Sequence, residues 1–225
     1  EVPVGVNVRS HSPASSQCAS DWLRSNAGST SARSKTTPPS RSLCSTQSAS
    51  LTAEFIGKEL KGGKAIHGGD AVKNKTRVFG ALHYDTADGQ YAEGFQTFKS
   101  QLDKYGVKLA SEISFQLDLT RAPELARTAI AQLKSAGVTS VILNADPLMP
   151  KYFTQEATRQ GYFPEWVIGQ SLFVDTAVFG RTFDQQQWVH AFGVSFNAAR
   201  GDQKTQDAYN LYTWQYGKPP QSNNY

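Results

Sequence analysis

Apolar and polar positions follow two different periods along most of the chain. Short apolar runs predict strands, and one of them, VTSVILNA, contains no charged residue, as expected of a strand buried on both faces. The runs that predict strands are 77–84, 107–115, 138–144, 165–169 and 187–196. Longer segments separate them, in which apolar residues recur every three or four positions. That period predicts amphipathic helices.

Each of the first three predicted helices carries a stripe of apolar residues. The stripes are Leu51, Phe55, Ile56 and Leu60 in the first helix, Tyr91, Phe95, Phe98, Leu102 and Tyr105 in the second, and Leu125, Ala129, Ile130 and Leu133 in the third. A fourth helix is predicted after Asp146, a favourable N-cap residue, with Pro147 at its first position and Gly161 at its end.

The spacing of these elements predicts the fold class. Strands and helices alternate at intervals of about thirty residues, the size of a βαβ unit. Short turns between them favour parallel strands joined by helical crossovers. The predicted fold is therefore α/β: a three-layer, mostly parallel, doubly wound sheet. We expect strands 77–84, 107–115 and 138–144 to be neighbours in it, with helices on both faces.

The first fifty residues differ from the rest. They are rich in Ser, Thr, Pro and Arg and show no sustained apolar period, so residues 1–50 are predicted to be disordered or irregular. This segment is either a linker or tail, or a wrongly assigned N-terminus. The α/β domain is predicted to span 51–225. Cys18 and Cys44 both lie in the first segment, and their spacing leaves it open whether they pair.

The net charge of +4 does not indicate a nucleic-acid-binding surface. Residues 1–50 contain five basic and two acidic side chains, which account for +3 of the total. The remaining body is nearly neutral, whereas a surface that follows phosphates needs clustered Lys and Arg. No run approaches the ~20 apolar residues needed to cross a bilayer, so a membrane-spanning chain is not expected. No export signal is visible in the sequence.

Three polar loops follow predicted strands, at the edge where open parallel sheets bind ligands. These loops are HYDTADGQY, NADP and GQSLFVD. The candidate ligand-binding residues in them are Tyr84, Asp85, Asp88, Tyr91, Asn144, Asp146, Gln170 and Ser171. Several have a structural alternative. Asp146 is also a helix cap, Asp85 and Asp88 are common turn residues, and Tyr91 also fits the start of its helix's apolar stripe.

Signatures of catalysis are weak. The four histidines have no metal-ligand spacing. The segment 57–64 resembles a phosphate-binding loop only loosely, because Gly63 stands where Lys is required. Neither a GxSxG elbow nor a GxGxxG turn after a strand is present. We therefore expect a protein that is not an enzyme and that uses no cofactor.

Two long stretches resemble a known family. The first is VFGALHYDTADGQYAEGFQTFKSQLDKYGVKLASEISF, and the second is ARTAIAQLKSAGVTSVILNADPLMPKYFTQEATRQGYFPEWVIG. Together they are similar to the second lobe of type I periplasmic solute-binding proteins, the branched-chain amino acid receptors of ABC transporters. The resemblance covers about 51–216. It implies a two-lobed, extracytoplasmic protein that closes on a small polar solute and presents it to an ABC permease.

The resemblance also implies roles for individual residues. Tyr91 matches a helix-start tyrosine that packs against ligand, and Asp146 lies in a ligand-facing turn. Gln170 and Ser171 match a position where amino acid receptors commonly carry a carboxylate for the ligand's ammonium. Neither can supply that charge, so either Asp146 supplies it or the ligand is not an α-amino acid.

Another departure from the family concerns the first lobe, which is not recognisable in residues 1–50. We therefore expect a partial receptor that binds solute weakly by itself. Two alternative functions remain: the effector-sensing core of a transcription regulator, and a small α/β enzyme.

Overall fold

The computed structural model describes residues 40–89, 91–169, 173–195 and 202–221, with side chains from residue 47 onward. It contains a five-stranded sheet in the order β2-β1-β3-β4-β5, and every pairing is parallel. The strands are β1 Phe79–Tyr84, β2 Leu109–Phe115, β3 Ser140–Asn144, β4 Glu165–Ile168 and β5 Ala191–Gly193. This confirms the predicted parallel sheet and the neighbours of β1.

One helix precedes the first strand, and the others in this unit connect the strands. They are α1 Ser40–Phe55, continued by a wider π-helical turn over Ile56–Leu60, then α2 Ala92–Lys104, α3 Ala122–Ser135, α4 Met149–Arg159, and the short α5 Ala177–Gly180 and α6 Gln185–Trp188. The chain divides into two compact units, 1–195 and 196–225. In the second unit the structure describes a 3₁₀ turn, Gln203–Thr205, and a helix, α7 Asp207–Tyr216.

The sheet has an apolar core on each face. Side chains alternate across each strand, so Leu82 and Leu143 face one core while Ala81 and Ile142 face the other. Residues of α3 and α4 fill the first core, and residues of α1 and α2 fill the second. The result is the predicted three-layer α/β arrangement.

The first helix begins ten residues before the boundary predicted near residue 50. It starts at Ser40, and Ala49, Thr52 and Ala53 are fully buried. Small residues give little periodic signal in the sequence, yet their size allows a helix to pack closely against its neighbour. Residues 1–39 of the predicted irregular segment, including Cys18, lie outside the described residues.

The last predicted strand, 187–196, is shorter than expected, because its first two residues are helical, the next two form a turn and β5 begins at Ala191. Gln185–Trp188 form α6, and the side chain of Asp184 accepts a hydrogen bond from the Gln186 N–H at 2.9 Å. Gln187 is fully buried, accepts from Trp166 Nε1 at 3.1 Å and donates to the Tyr162 carbonyl at 3.0 Å. A helix cap and a satisfied buried amide therefore replace the predicted strand here.

A buried ion pair joins the amino ends of the strands. Arg77 donates from Nε to Glu165 Oε2 at 2.8 Å and from Nη2 to Oε1 at 3.1 Å, and these side chains are 5% and 0% exposed. Ser140 Oγ donates to Oε2 at 2.6 Å, and the His67 N–H donates to Oε1 at 3.0 Å. Burial would raise the pKa of Glu165, but these hydrogen bonds outweigh it and the pKa is lowered.

Candidate functional site

The strand order creates a crevice between the carboxyl ends of β1 and β3. From β1 the chain passes through α2 to β2 on one side of β1, and β3 lies on the other side. The connections after β1 and β3 therefore run to opposite sides of this point in the sheet. In open α/β sheets such a switch point is where ligands bind.

Asp85 organises the loop after β1. Its N–H donates to the Phe115 carbonyl at 2.9 Å, which ties the loop to the end of β2. Its Oδ1 accepts from the Thr86 N–H at 2.8 Å and from the Tyr91 N–H at 3.2 Å. Asp88 is exposed at the tip of the loop and accepts from the Thr86 hydroxyl. The turn role considered for Asp85 and Asp88 is thus present, and it holds Tyr91 at the start of α2.

Two tyrosines form an aromatic wall at this edge. The rings of Tyr84 and Tyr91 are 5.2 Å apart at 55°, and Tyr84 also lies 6.1 Å from Phe115. Tyr91 is 49% exposed, whereas Phe95 one turn later is 2% exposed. The apolar stripe of α2 therefore starts at Phe95, and Tyr91 presents its ring to the edge.

The charge around Tyr84 is negative. Burial raises the pKa of its hydroxyl, and Tyr91, Asp146, Asp85 and Asp88 add to that effect. Carboxylates from both loops therefore act on this one hydroxyl.

Asp146 uses its two carboxylate oxygens differently. Oδ1 accepts from the N–H groups of Leu148 at 2.7 Å and Met149 at 3.1 Å, so it satisfies two backbone donors at the start of α4, whose N-cap is Leu148, two residues later than predicted. Oδ2 is buried and has no hydrogen-bond partner in the described structure. The residue is 7% exposed. Burial raises the pKa of Asp146, and the backbone hydrogen bonds only partly oppose it.

The structure brings six of the eight candidate residues to the carboxyl edge of β1 and β3. They are Tyr84, Asp85, Asp88, Tyr91, Asn144 and Asp146. Asn144 ends β3, is half-buried and pairs in register with His83. Gln170 and Ser171 lie outside the described residues.

Sequence reasoning did not identify His83. Its ring stacks on Phe95 at 3.7 Å and 7°, its Nδ1 is buried without a partner, and its Nε2 lies 3.7 Å from Glu112. Burial lowers the pKa of His83, so the neutral form is favoured. It lies on the opposite face of β1 from Tyr84 and contacts the α2 core. Side chains alternate between the two faces along FGALHY, so the sequence could have predicted that His83 and Tyr84 lie on opposite faces.

Neither a metal centre nor a membrane span is evident in the part of the chain that the structure describes. No group of three or more His, Cys, Asp or Glu side chains there is placed to hold a metal ion. Among the same residues, no helix has the length and hydropathy to cross a bilayer.

Comparison with solved structures finds solute-binding proteins of ABC transporters. A protein from Rhodospirillum rubrum described as a branched-chain amino acid ABC transporter has a TM-score of 0.51 at 11% identity, over 78% of this chain and 44% of that one. A leucine-binding protein from Thermotoga maritima gives 0.48 at 12% identity over the same shares. A fatty acid ABC transporter substrate-binding protein from Thermomonospora curvata gives 0.46 at 14%, over 78% and 41%.

No protein-family model and no curated protein matches the sequence. At this level of identity the likeness concerns the fold, and it confirms the architecture implied by the resemblance: one lobe of a type I periplasmic binding protein. The chain spans less than half the length of these solved structures.

Proposed function

We propose that this chain is a lobe of the solute-binding component of an ABC-type importer. It binds a small polar, amino acid-like solute at the carboxyl edge of β1 and β3. The observation that carries the proposal is that an aromatic pair, Tyr84 and Tyr91, and the buried carboxylate of Asp146 follow the adjacent parallel strands β1 and β3 at the same edge of the sheet. The lobe architecture shared with solute-binding proteins supports it.

The groups at this edge are suited to binding. A half-exposed tyrosine ring offers apolar area to a solute at low conformational cost, and a few fixed polar groups set orientation. Asp85 fixes the Tyr91 backbone, and the hydrogen bonds from the start of α4 fix Asp146. The wall and the carboxylate are therefore held in place before solute arrives. The proposal includes delivery of the solute to a permease and an extracytoplasmic location.

The proposal predicts saturable but weak binding by this chain. One lobe makes only part of the contacts of a closed cleft, and each missing hydrogen bond to a charged group weakens binding by ~1.5 to 3 kcal/mol. Several missing contacts move a micromolar complex into the millimolar range, which ordinary calorimetry does not resolve.

Amide chemical shifts of ¹⁵N-labelled protein test the proposal. The chain is titrated separately with L-leucine, D-arabinose and octanoate, which represent an amino acid, a sugar and a fatty acid. We expect at least one solute to shift the amides of 84–91 and 144–148 in a saturable way. If none of the solutes shifts these amides, or if saturable shifts occur only elsewhere, the proposed site is wrong.

A further inference from the structure

The loops at the amino edge of the sheet are rich in lysine. Two segments lie there, 61–76 before β1 and 103–108 before β2, and Lys61 Nζ joins them by donating to the Tyr105 carbonyl. They contain two acidic residues, Asp70 and Asp103, and six lysines. The lysines, all exposed, are Lys61, Lys64, Lys73, Lys75, Lys104 and Lys108. The body of the chain is nearly neutral overall, yet this lysine surface is cationic.

The first of these segments is held against the sheet by its backbone. The Ala65 N–H donates to the Lys75 carbonyl at 2.8 Å, and the Gly69 N–H donates to the Phe163 carbonyl at 2.9 Å. The side chains of Ala65 and Val72 are buried beneath it. The backbone that carries the lysines is therefore fixed before any partner arrives.

The stability of the fold does not account for most of these lysines. Among the described residues, Lys64, Lys73, Lys75 and Lys108 make neither an ion pair nor a side-chain hydrogen bond. A lysine in the last turn of a helix offsets the helix dipole, which accounts for Lys104 at the end of α2, but these four lie in no helix. Like charges that are gathered on one surface repel each other, and an anionic partner removes that repulsion.

An exposed aliphatic side chain lies within the lysine surface. Exposure alternates along 64–66: Ala65 is fully buried, whereas Lys64 is exposed and Ile66 is 54% exposed. Basic side chains beside an exposed apolar one are typical of proteins that bind membrane surfaces. Surfaces that bind single-stranded nucleic acid use aromatic rings for base stacking. The two segments contain no arginine, and their one tyrosine, Tyr105, packs against the core between α1 and α2.

We propose that the lysine surface is a docking surface for an anionic lipid bilayer. Its ammonium groups meet the headgroup phosphates, and Ile66 enters between the headgroups. The carboxyl-edge loops 84–91 and 144–148 contain three aspartates and neither Lys nor Arg, so the same bilayer repels that edge. The protein then lies with the candidate solute-binding edge facing away from the lipid. This inference goes beyond the proposed function and does not depend on it.

Co-sedimentation of the full chain with lipid vesicles tests the proposal. One set of vesicles is phosphatidylcholine alone, and the other contains about 30% phosphatidylglycerol, which is anionic. We expect binding to the anionic vesicles only. Raising the salt from about 50 to about 300 mM should weaken it about 10-fold or more, because salt screens exposed charges. Equal binding to both vesicle types, or binding to neither, would overturn the proposal.

The triple variant Lys64→Gln, Lys73→Gln, Lys75→Gln tests the surface itself. Each lysine near an anionic lipid surface strengthens binding about 5-fold, so affinity for the anionic vesicles should fall about 100-fold. The amide spectrum without vesicles reports whether the fold is retained. Unchanged affinity in a folded variant would contradict the proposal, because the binding would then come from another part of the chain.

Lys151→Gln, Lys204→Gln, Lys218→Gln is the matched control. These three lysines are also exposed and lie outside the two segments, so the control loses the same charge as the triple variant. Its affinity for anionic vesicles should stay close to that of the wild type. A loss equal to that of the triple variant would mean that net charge and not the lysine surface causes binding, and the proposal would be wrong.

Two further measurements distinguish lipid from another polyanion. Ile66→Ser should weaken vesicle binding about 3- to 10-fold, because it removes the apolar contact. Unchanged vesicle affinity in this variant would count against a bilayer as the partner. A DNA duplex serves as the competing polyanion. If the duplex binds more tightly than the anionic vesicles at the same salt, and the triple variant loses that binding, the partner is nucleic acid and the proposal fails.

Discussion

Each edge of the sheet contains a buried carboxylate, and the two differ in how completely they are hydrogen-bonded. At the amino edge, Glu165 receives hydrogen bonds from Arg77 Nε and Nη2, from Ser140 and from the His67 N–H. At the carboxyl edge, Asp146 receives backbone hydrogen bonds on one oxygen and none on the other. The pKa of Glu165 is lowered, and burial raises the pKa of Asp146.

This difference in hydrogen bonding determines whether a buried carboxylate can still accept a hydrogen bond from a solute. A buried charge whose hydrogen bonds are complete within the chain has no capacity left for a solute. A buried carboxylate with one free oxygen destabilises the ligand-free fold and is relieved when a donor binds. Perturbed carboxylates occur in both structural networks and functional sites, and Glu165 and Asp146 differ in the completeness of their hydrogen bonds.

The largest expected effect is at the amino edge. Glu165→Ala leaves Arg77 buried with an unpaired charge, which costs about 3 to 5 kcal/mol. We expect urea unfolding to show a loss of this size. The double variant Arg77→Met, Glu165→Leu removes both charges and should recover much of it, because an apolar pair of similar volume replaces the ion pair. A loss below about 1 kcal/mol in Glu165→Ala would show that the pair is not structural.

The ligand-free stability of Asp146→Asn should change in the opposite direction. A pKa raised by folding contributes stability that is present below the ordinary value of 3.8 and is lost as the pH rises through the folded pKa. Asparagine does not ionise, so the variant does not lose this stability as the pH rises. Its carbonyl oxygen can still accept from the N–H groups of Leu148 and Met149. We therefore expect Tm of Asp146→Asn to exceed that of the wild type at neutral pH, with the difference shrinking on acidification.

Asp118 provides the control of opposite sign for this measurement. The Thr120 side chain and nearby backbone N–H groups lower the pKa of Asp118, so its contribution is present above 3.8 and is lost as the pH falls through the lower folded pKa. Asp118→Asn should lower Tm at neutral pH. If Asp146→Asn also lowers Tm there, the free oxygen of Asp146 is not a source of instability.

Some features of the fold could be predicted from the sequence, and others could not. The strands 77–84, 107–115 and 138–144 were predicted because they are short, mostly apolar runs between helical segments, and each observed strand begins two residues later. The carboxyl-edge loops followed from the parallel sheet. The start of α1 could not be predicted, because Ala49 and Ala53 give no periodic apolar signal although both are fully buried.

The two roles of Asp146 show a different limit. Sequence reasoning treated the helix cap and the ligand contact as alternatives for one residue. In the structure Oδ1 accepts from backbone N–H groups at the start of α4, while Oδ2 has no hydrogen-bond partner among the described residues, so the first role does not exclude the second. Arg77 and Glu165 lie 88 positions apart, and a single sequence contains no local pattern that pairs them.

The smallest expected effect is at Tyr91. Because Tyr91 is 49% exposed, Tyr91→Ala should change the free energy of unfolding by no more than about 0.5 kcal/mol. Its effect on binding should be larger, because the variant removes one ring of the wall. An aromatic contact contributes about 0.5 to 1 kcal/mol, so the affinity for a solute that shifts the amides of 84–91 should fall about 2- to 5-fold.

Tyr91→Phe is the matched control, since it keeps the ring and removes only the hydroxyl. We expect it to retain the affinity for that solute. If Tyr91→Phe weakens solute binding as much as Tyr91→Ala does, the hydroxyl and not the ring face contacts the solute. If neither variant changes binding while Asp146→Asn abolishes it, the solute lies against β3 alone. Only the β3 side of the crevice would then contact the solute. The hydrogen bond from the Tyr91 N–H to Asp85 would then only stabilise the start of α2.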